Sequence, residues 1–216
     1  MTDERRISDA AVTKATGKGW AHWLGLLERW GAAAKGHKAT AKHLQERHGV
    51  APWWAQTITV RFEKERGLRE KNQVRGGYQI SVTRTIDVPL PRAWQAWTTA
   101  RAWNRWFTTK SRLNLREGGR YTNADGDTGE FRAIVPGDRL RFTWDNPKHC
   151  PGTLVEVRFA ELGERCRITV QHSKLASKRD AEAMRGGWSW AMDSLRSWLE
   201  TGKPITHEAW LAAKRR

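Results

Sequence analysis

Apolar and polar positions along this chain follow two different periods, and the change falls near Gly76. Up to residue 75 the rhythm is helical. Trp20, Trp23, Leu24, Leu27 and Trp30 recur at spacings of three and four and make one apolar stripe. Gly31 and Gly36 loosen the chain before a second helix over residues 37–47, which should stop at Gly49. Pro52 suits the first turn of a third helix running from Trp53 to Arg66, with Gly67 as its stop. Three or four short helices sharing the tryptophans predict a small bundle. The stretch 67–77, whose only apolar residues are Leu68 and Val74, is the candidate linker.

Beyond Gly76 the period becomes two. An alternating strand over 80–88 turns through Pro89-Leu-Pro91 into Arg92-Ala-Trp-Gln-Ala-Trp97, and Ala102-Trp-Asn-Arg-Trp-Phe107 follows. Leu140, Phe142 and Trp144 alternate with Arg139, Arg141 and Thr143, the mark of a half-buried strand. Gly163-Glu164 has the Gly-X form of a two-residue hairpin turn. Pairing outward from it sets Glu161 opposite Cys166, Phe159 opposite Ile168, Val157 opposite Val170 and Val155 opposite His172, all on one face. A long helix then opens at Ser177-Lys-Arg-Asp180 and ends before Gly202 and Pro204. Trp188, Met192, Leu195 and Leu199 share one face of it and should meet the sheet.

Gly186-Gly187 interrupts that helix at a cost of about 1 kcal/mol per glycine relative to alanine. Two explanations fit: close backbone approach, or room left beside a cavity. The expected fold class is α+β, with a helical domain over 1–75, a curved antiparallel sheet wrapping one long helix over 76–204, and a short basic tail over 205–216, helical from Thr206 at most. A sheet gripping a single helix leaves a cavity, so a container is the favoured reading over a catalyst.

Composition adds charge to this picture. The formal net charge is +16, from 39 Lys and Arg against 23 Asp and Glu. It is spread over both parts, 15 basic against 8 acidic residues up to position 75 and 24 against 15 after it. A nucleic-acid partner would favour a focused patch, so at most weak, sequence-independent binding is expected. Residues 37–66 could also form a helix-turn-helix presenting Gln56, Thr59 and Arg61 to a major groove. The competing reading makes Trp53 and Trp54 core residues of an ordinary bundle.

No run of eighteen apolar residues occurs, so no membrane span is expected. Residues 1–6 lack the apolar core of a secretory signal, which makes the cytoplasm the expected location. Two cysteines, Cys150 and Cys166, suit a reducing compartment. Cys166 and His172 lie six residues apart on one strand, roughly 20 Å, too far to share an ion. His149, Cys150 and His172 lack the spacing of known zinc sites, so neither metal nor cofactor is expected. Nucleophile elbow, phosphate-binding loop and dinucleotide fingerprint are all absent. Asp125-Gly-Asp127 reads as a turn between strands and not as a calcium loop.

Several ordered motifs now resemble a known group. They are Arg84-Thr-Ile-Asp-Val-Pro-Leu-Pro-Arg-Ala-Trp94, the Trp103 and Trp106 pair, Gly118-Gly119, Gly129-Glu-Phe-Arg-Ala-Ile-Val-Pro136, Leu140-Arg-Phe-Thr-Trp144, and Gly187-Trp188 with Leu195. Together, over about 78–201, they look like the heat-shock-protein ATPase activator homologue-like branch of the SRPBCC (START-like) superfamily. The resemblance implies a helix-grip fold with a cavity between sheet and helix. It implies no single activity, since members bind lipids, hormones or polyketides, and the eukaryotic namesake binds a chaperone. Residues 13–72, through Thr16-Gly-Lys-Gly-Trp20, His48-Gly-Val50 and Trp53-Trp-Ala55, resemble a small uncharacterised bacterial helical domain, from which no function follows.

The inward side chains Phe131, Phe142, Trp144, Val157, Val170, Trp188 and Met192 are the candidate cavity lining, each with ordinary core as its plainer reading. Two polar residues share the inward parity. His172 could hydrogen-bond or protonate a ligand carbonyl, or be a satisfied core histidine. Arg84 could anchor an anionic headgroup, or sit salt-bridged at the rim. The expected function is binding of a small hydrophobic or amphipathic molecule. A protein-interaction or chaperone-cofactor role and a ligand-responsive nucleic-acid-binding role are the alternatives.

Overall fold

The structure, a computed structural model, describes residues 7–68, 72–74, 76–146 and 149–215. The stretch 1–6 on which the signal reading rests lies outside the described residues, as do 69–71 and 75 within the candidate linker. The chain divides into two compact units, Met1–Lys71 and Asn72–Arg216.

Among the described residues the first unit holds four helices: α1 (Asp9–Thr16), α2 (Trp20–Trp30), α3 (Ala32–His48) and α4 (Pro52–Glu65). Each boundary has a local cause. Ser8 caps α1 by accepting from the Ala11 N–H, and Gly49 ends α3 at φ 65°. Asp9 accepts from the Trp20 N–H at 2.7 Å and so caps α2 from a neighbouring helix. Val12, Trp23, Leu27, Leu44, Ile58 and Phe62 form the core. The buried face of α4 is Ala55, Ile58, Thr59 and Phe62. Trp53 is 61% exposed, contrary to the expectation that it is core. It stands outside the repeat of spacing three and four, and its ring meets only Trp54 edge-on among the ring pairs of the described residues.

The second unit is one eight-stranded antiparallel sheet with helices on it. Its strands are β1 (Gln73–Val74), β2 (Gly77–Ile86), β3 (Arg112–Leu113), β4 (Arg120–Thr122), β5 (Thr128–Val135), β6 (Arg139–Trp144), β7 (Thr153–Leu162) and β8 (Arg165–Leu175), in the order β1-β2-β8-β7-β6-β5-β4-β3. Part of the candidate linker is therefore an edge strand. The β7–β8 register is the one derived from the hairpin, Val157 facing Val170 and Val155 facing His172.

Between β2 and β3 run α5 (Leu90–Thr98) and α6 (Ala100–Trp106); α7 (Lys178–Thr201) and α8 (His207–Lys214) close the chain. Ser177 caps α7 and Gly202 ends it at φ 79°. Its buried residues include Trp188, Met192, Leu195 and Leu199, packed with β2, β7 and β8 side chains in one core. This is a helix-grip fold. Gly129 is needed where β5 crosses Tyr121, because a Cβ there would strike the Thr143 carbonyl oxygen and the Tyr121 ring.

The basic tail is helical from its Thr206 cap, as the sequence allows, and it docks. Trp210 is buried and donates from Nε1 to Asp193 Oδ2 at 2.9 Å, and Trp190 Nε1 donates to the Ile205 carbonyl at 2.8 Å. Among the described residues no helix is long and apolar enough to cross a membrane.

Candidate functional site

A cleft of about 430 Å³ opens beside α7 in the second unit. Phe107, Trp144 and Trp188 supply its aromatic wall, with Phe107 and Trp188 stacked at 5.6 Å and Trp144 edge-on to Trp188 at 5.3 Å. Met184, Gly187 and Trp190 line it from the helix, and Asp125, Asp127, Asn146 and His149 from the loops after β4 and β6. Gly187 makes the space. A Cβ added at Gly186 or Gly187 would meet no heavy atom within 4 Å. Close backbone approach therefore requires neither glycine, and of the two it is Gly187 that borders the cleft.

The nine residues named from sequence fall into four places. Trp144 and Trp188 line the cleft. Phe131, Phe142, Val157, Val170 and Met192 are fully buried in the core beneath it, with no exposed surface. Phe142 is edge-on to Tyr121 at 5.5 Å, so that part of the interior is filled by ring contacts.

His172 lies directly under the cleft wall, fully buried. Trp188 Nε1, which can only donate, gives its hydrogen to His172 Nδ1 at 3.0 Å. The neutral ring then carries its own hydrogen on Nε2 and passes it to Thr153 Oγ1 at 2.7 Å. Thr153 Oγ1 in turn lies 3.1 Å from the carbonyls of Trp144 and Cys150. Both imidazole nitrogens are thus occupied inside the protein, and burial pushes the pKa down to about 3. His172 is the satisfied core histidine and positions the Trp188 indole.

Arg84 points at α7 and forms an ion pair with Asp193, Nε to Oδ1 at 2.7 Å, with the two side chains 26% and 17% exposed. Burial pushes the Asp193 carboxyl up, but hydrogen bonds from Arg84 and Trp210 and the charges of Arg84 and Arg196 outweigh it and hold the pKa below the usual carboxylate value. Arg84 is therefore the salt-bridged residue that couples β2, α7 and α8.

Phe107, Asn146, Met184 and Trp190 had not been singled out for the site from sequence; only Gly187 carried a signal, through its position mid-helix. Among the described residues no group of three or more His, Cys, Asp or Glu could hold a metal ion. In the first unit, the residues that a helix-turn-helix would offer to DNA are engaged. Thr59 is fully buried, Gln56 Oε1 lies 2.7 Å from His37 Nε2, and Arg61 pairs with Glu65 and stacks over Trp20.

The model of a family described as activator of Hsp90 ATPase homolog 1-like protein matches residues 87–200. Among solved structures, CalU16 from Micromonospora echinospora superposes with a TM-score of 0.56 at 25% identity, covering 67% of this chain and 88% of that one. DynU16, a protein in the dynemicin biosynthetic locus, gives 0.51 at 27% identity over 58% of this chain and 48% of that one. The Aha1 dimer from Colwellia psychrerythraea gives 0.52 at 20% identity, over 58% and 98%, and speaks to the fold alone. No curated protein matches the chain.

Proposed function

The chain belongs to the activator of Hsp90 ATPase homolog 1-like family, and from that premise we propose that residues 76–204 are a ligand-binding domain whose cleft beside α7 takes up a small apolar or amphipathic molecule. Residues 1–75 are then a separate helical domain. The observation that carries this reading is the glycine pair. A helix that packs on β2 and β8 has two glycines side by side in its middle, at about 1 kcal/mol each, and the second of them, Gly187, lines the cleft. Nothing packs against either position, so the protein gains no contact in return. Space for something that is not protein accounts for a glycine at this position. Four aromatic side chains around that space supply the apolar surface such a molecule needs. DynU16 lies in a biosynthetic locus, which agrees with a small molecule as the ligand. The interaction role expected as an alternative draws support from the family description, but no observation at the cleft favours it.

The test uses a neutral, environment-sensitive dye such as Nile red and the full-length protein. The dye should bind saturably. Gly187→Leu should abolish binding, and because leucine is a far better helix former it should also stabilise the unit, by roughly 0.8 kcal/mol. Gly186→Ala should stabilise by about 1 kcal/mol and leave dye binding intact. Unchanged dye affinity in Gly187→Leu would show that the cleft is not the site.

A further inference from the structure

We infer that the cleft selects organic cations: its ligand carries an ammonium-like group on an apolar body. This rests on the cleft being the ligand site, and it adds the ligand's charge.

The first observation is one of sign. The protein carries 39 basic against 23 acidic residues, so a cleft lined without selection would be basic. Among the described residues the charged groups lining this one are Asp125 and Asp127, with His149 beside them and no Lys or Arg. The second is the state of Asp127. It is 6% exposed, and its two oxygens accept from Asn123 Nδ2 at 3.0 Å and Asn146 Nδ2 at 2.7 Å. Those amides orient the carboxylate and leave its charge uncompensated. Among the described residues neither Asp127 nor Asp125 has a basic side chain in ion-pair reach, whereas Asp193 has two. A nearly buried carboxylate without a counter-charge is costly, and a cation arriving with the ligand removes that cost.

The third observation is the wall. Phe107, Trp144, Trp188 and Trp190 line the same space; Trp188 is stacked on Phe107 and Trp97, and an ammonium group within about 6 Å of an aromatic face left open there is attracted to it. The negative field also reaches Tyr121. Its hydroxyl pKa is raised first by burial and then by the charges of Asp127 and Asp145.

Three amphiphiles with one tail separate the possibilities: decyltrimethylammonium, decyl maltoside and decyl sulfate, each titrated calorimetrically below its micelle concentration at about 0.15 M salt. The cation should bind about tenfold more tightly than the neutral compound, the order expected of one carboxylate plus cation–π contact. Asp125→Asn and Asp127→Asn should each remove most of that advantage and leave decyl maltoside unaffected. Asp125 is exposed, so its variant decides the matter should Asp127→Asn fail to fold. Gly187→Leu should abolish binding of both cation and neutral compound. Equal affinities for cation and neutral compound, both lost in Gly187→Leu, would overturn cation selection and leave the cleft standing. Tightest binding of decyl sulfate would overturn it too. Binding of all three that ignores Gly187→Leu would overturn the cleft itself.

Discussion

Trp103→Ala should destabilise the sheet-and-helix unit by about 3–5 kcal/mol, the range for removing a large buried aromatic. Trp103 is 1% exposed, edge-on to Phe107 at 5.7 Å and to Tyr121 at 5.4 Å, and 6.3 Å from Phe142. Its Nε1 also donates to the Trp97 carbonyl at 2.9 Å, which ties α6 back to α5. The truncation therefore opens a void and strands a buried acceptor. Urea unfolding followed by far-ultraviolet circular dichroism measures the loss. Trp53→Ala is the matched control, because at 61% exposure its effect should stay within about 0.5 kcal/mol. A Trp103→Ala cost as small as that of Trp53→Ala would mean that the aromatic interior is not packed as described.

Acid should have an effect of similar size through His172. Burial holds the folded imidazole neutral down to about 3, while the unfolded chain takes up its proton near the ordinary 6.5. Above 6.5 both states carry a neutral ring and the full stability is present. As pH falls from 6.5 towards 3 only the unfolded state gains the proton, so stability is lost at up to about 1.4 kcal/mol per pH unit. Carboxylates titrate in the lower part of that window, so the measurement must be a difference. His172→Gln keeps an acceptor for the Trp188 indole and carries no titrating group. Between pH 7 and pH 4.5 the stability of the natural protein relative to this variant should fall by about 2–3 kcal/mol. A difference that does not move with pH would show that the ring is solvated and not enclosed as described.

Much of the scaffold could be read from the order of residues, because the signals are local. The Gly163-Glu164 turn and the alternation on either side agree on one register, and a slip of one residue would turn Val155, Val157 and Phe159 out of the core. Ser177 and Gly202 bound α7 by their own chemistry. The first unit shows how such reading fails. Aromatic identity alone suggests a core place for Trp53, but the spacing of Ala55, Ile58, Thr59 and Phe62 defines a buried face that excludes it.

The cleft is the least local feature of the fold. Phe107, Asp127, Asn146 and Gly187 come from four separate stretches of chain, and no periodicity relates them. His172 shared the inward parity of a lining residue, but parity cannot tell whether a side chain ends in a void or in a hydrogen bond. Only the Trp188 indole and the Thr153 hydroxyl decide that. The docking of α8 rests on Trp210 meeting Asp193, a pairing of two residues seventeen apart to which the net charge of the last segment gives no clue.

The empty ground around Gly186 and Gly187 bears on how such a protein can change over generations. Most substitutions that reshape a binding site cost stability, and their number is limited by the margin the fold can lose. Here the relation is reversed. A Cβ added at Gly187, the glycine that lines the cleft, meets nothing within 4 Å and strengthens the helix that carries it. A lineage can therefore narrow or reshape this site one methyl group at a time while its fold becomes sturdier. New ligand preferences are then open to it without a prior compensating mutation, and the return path, back to glycine and a wide site, is the direction that must be held by selection.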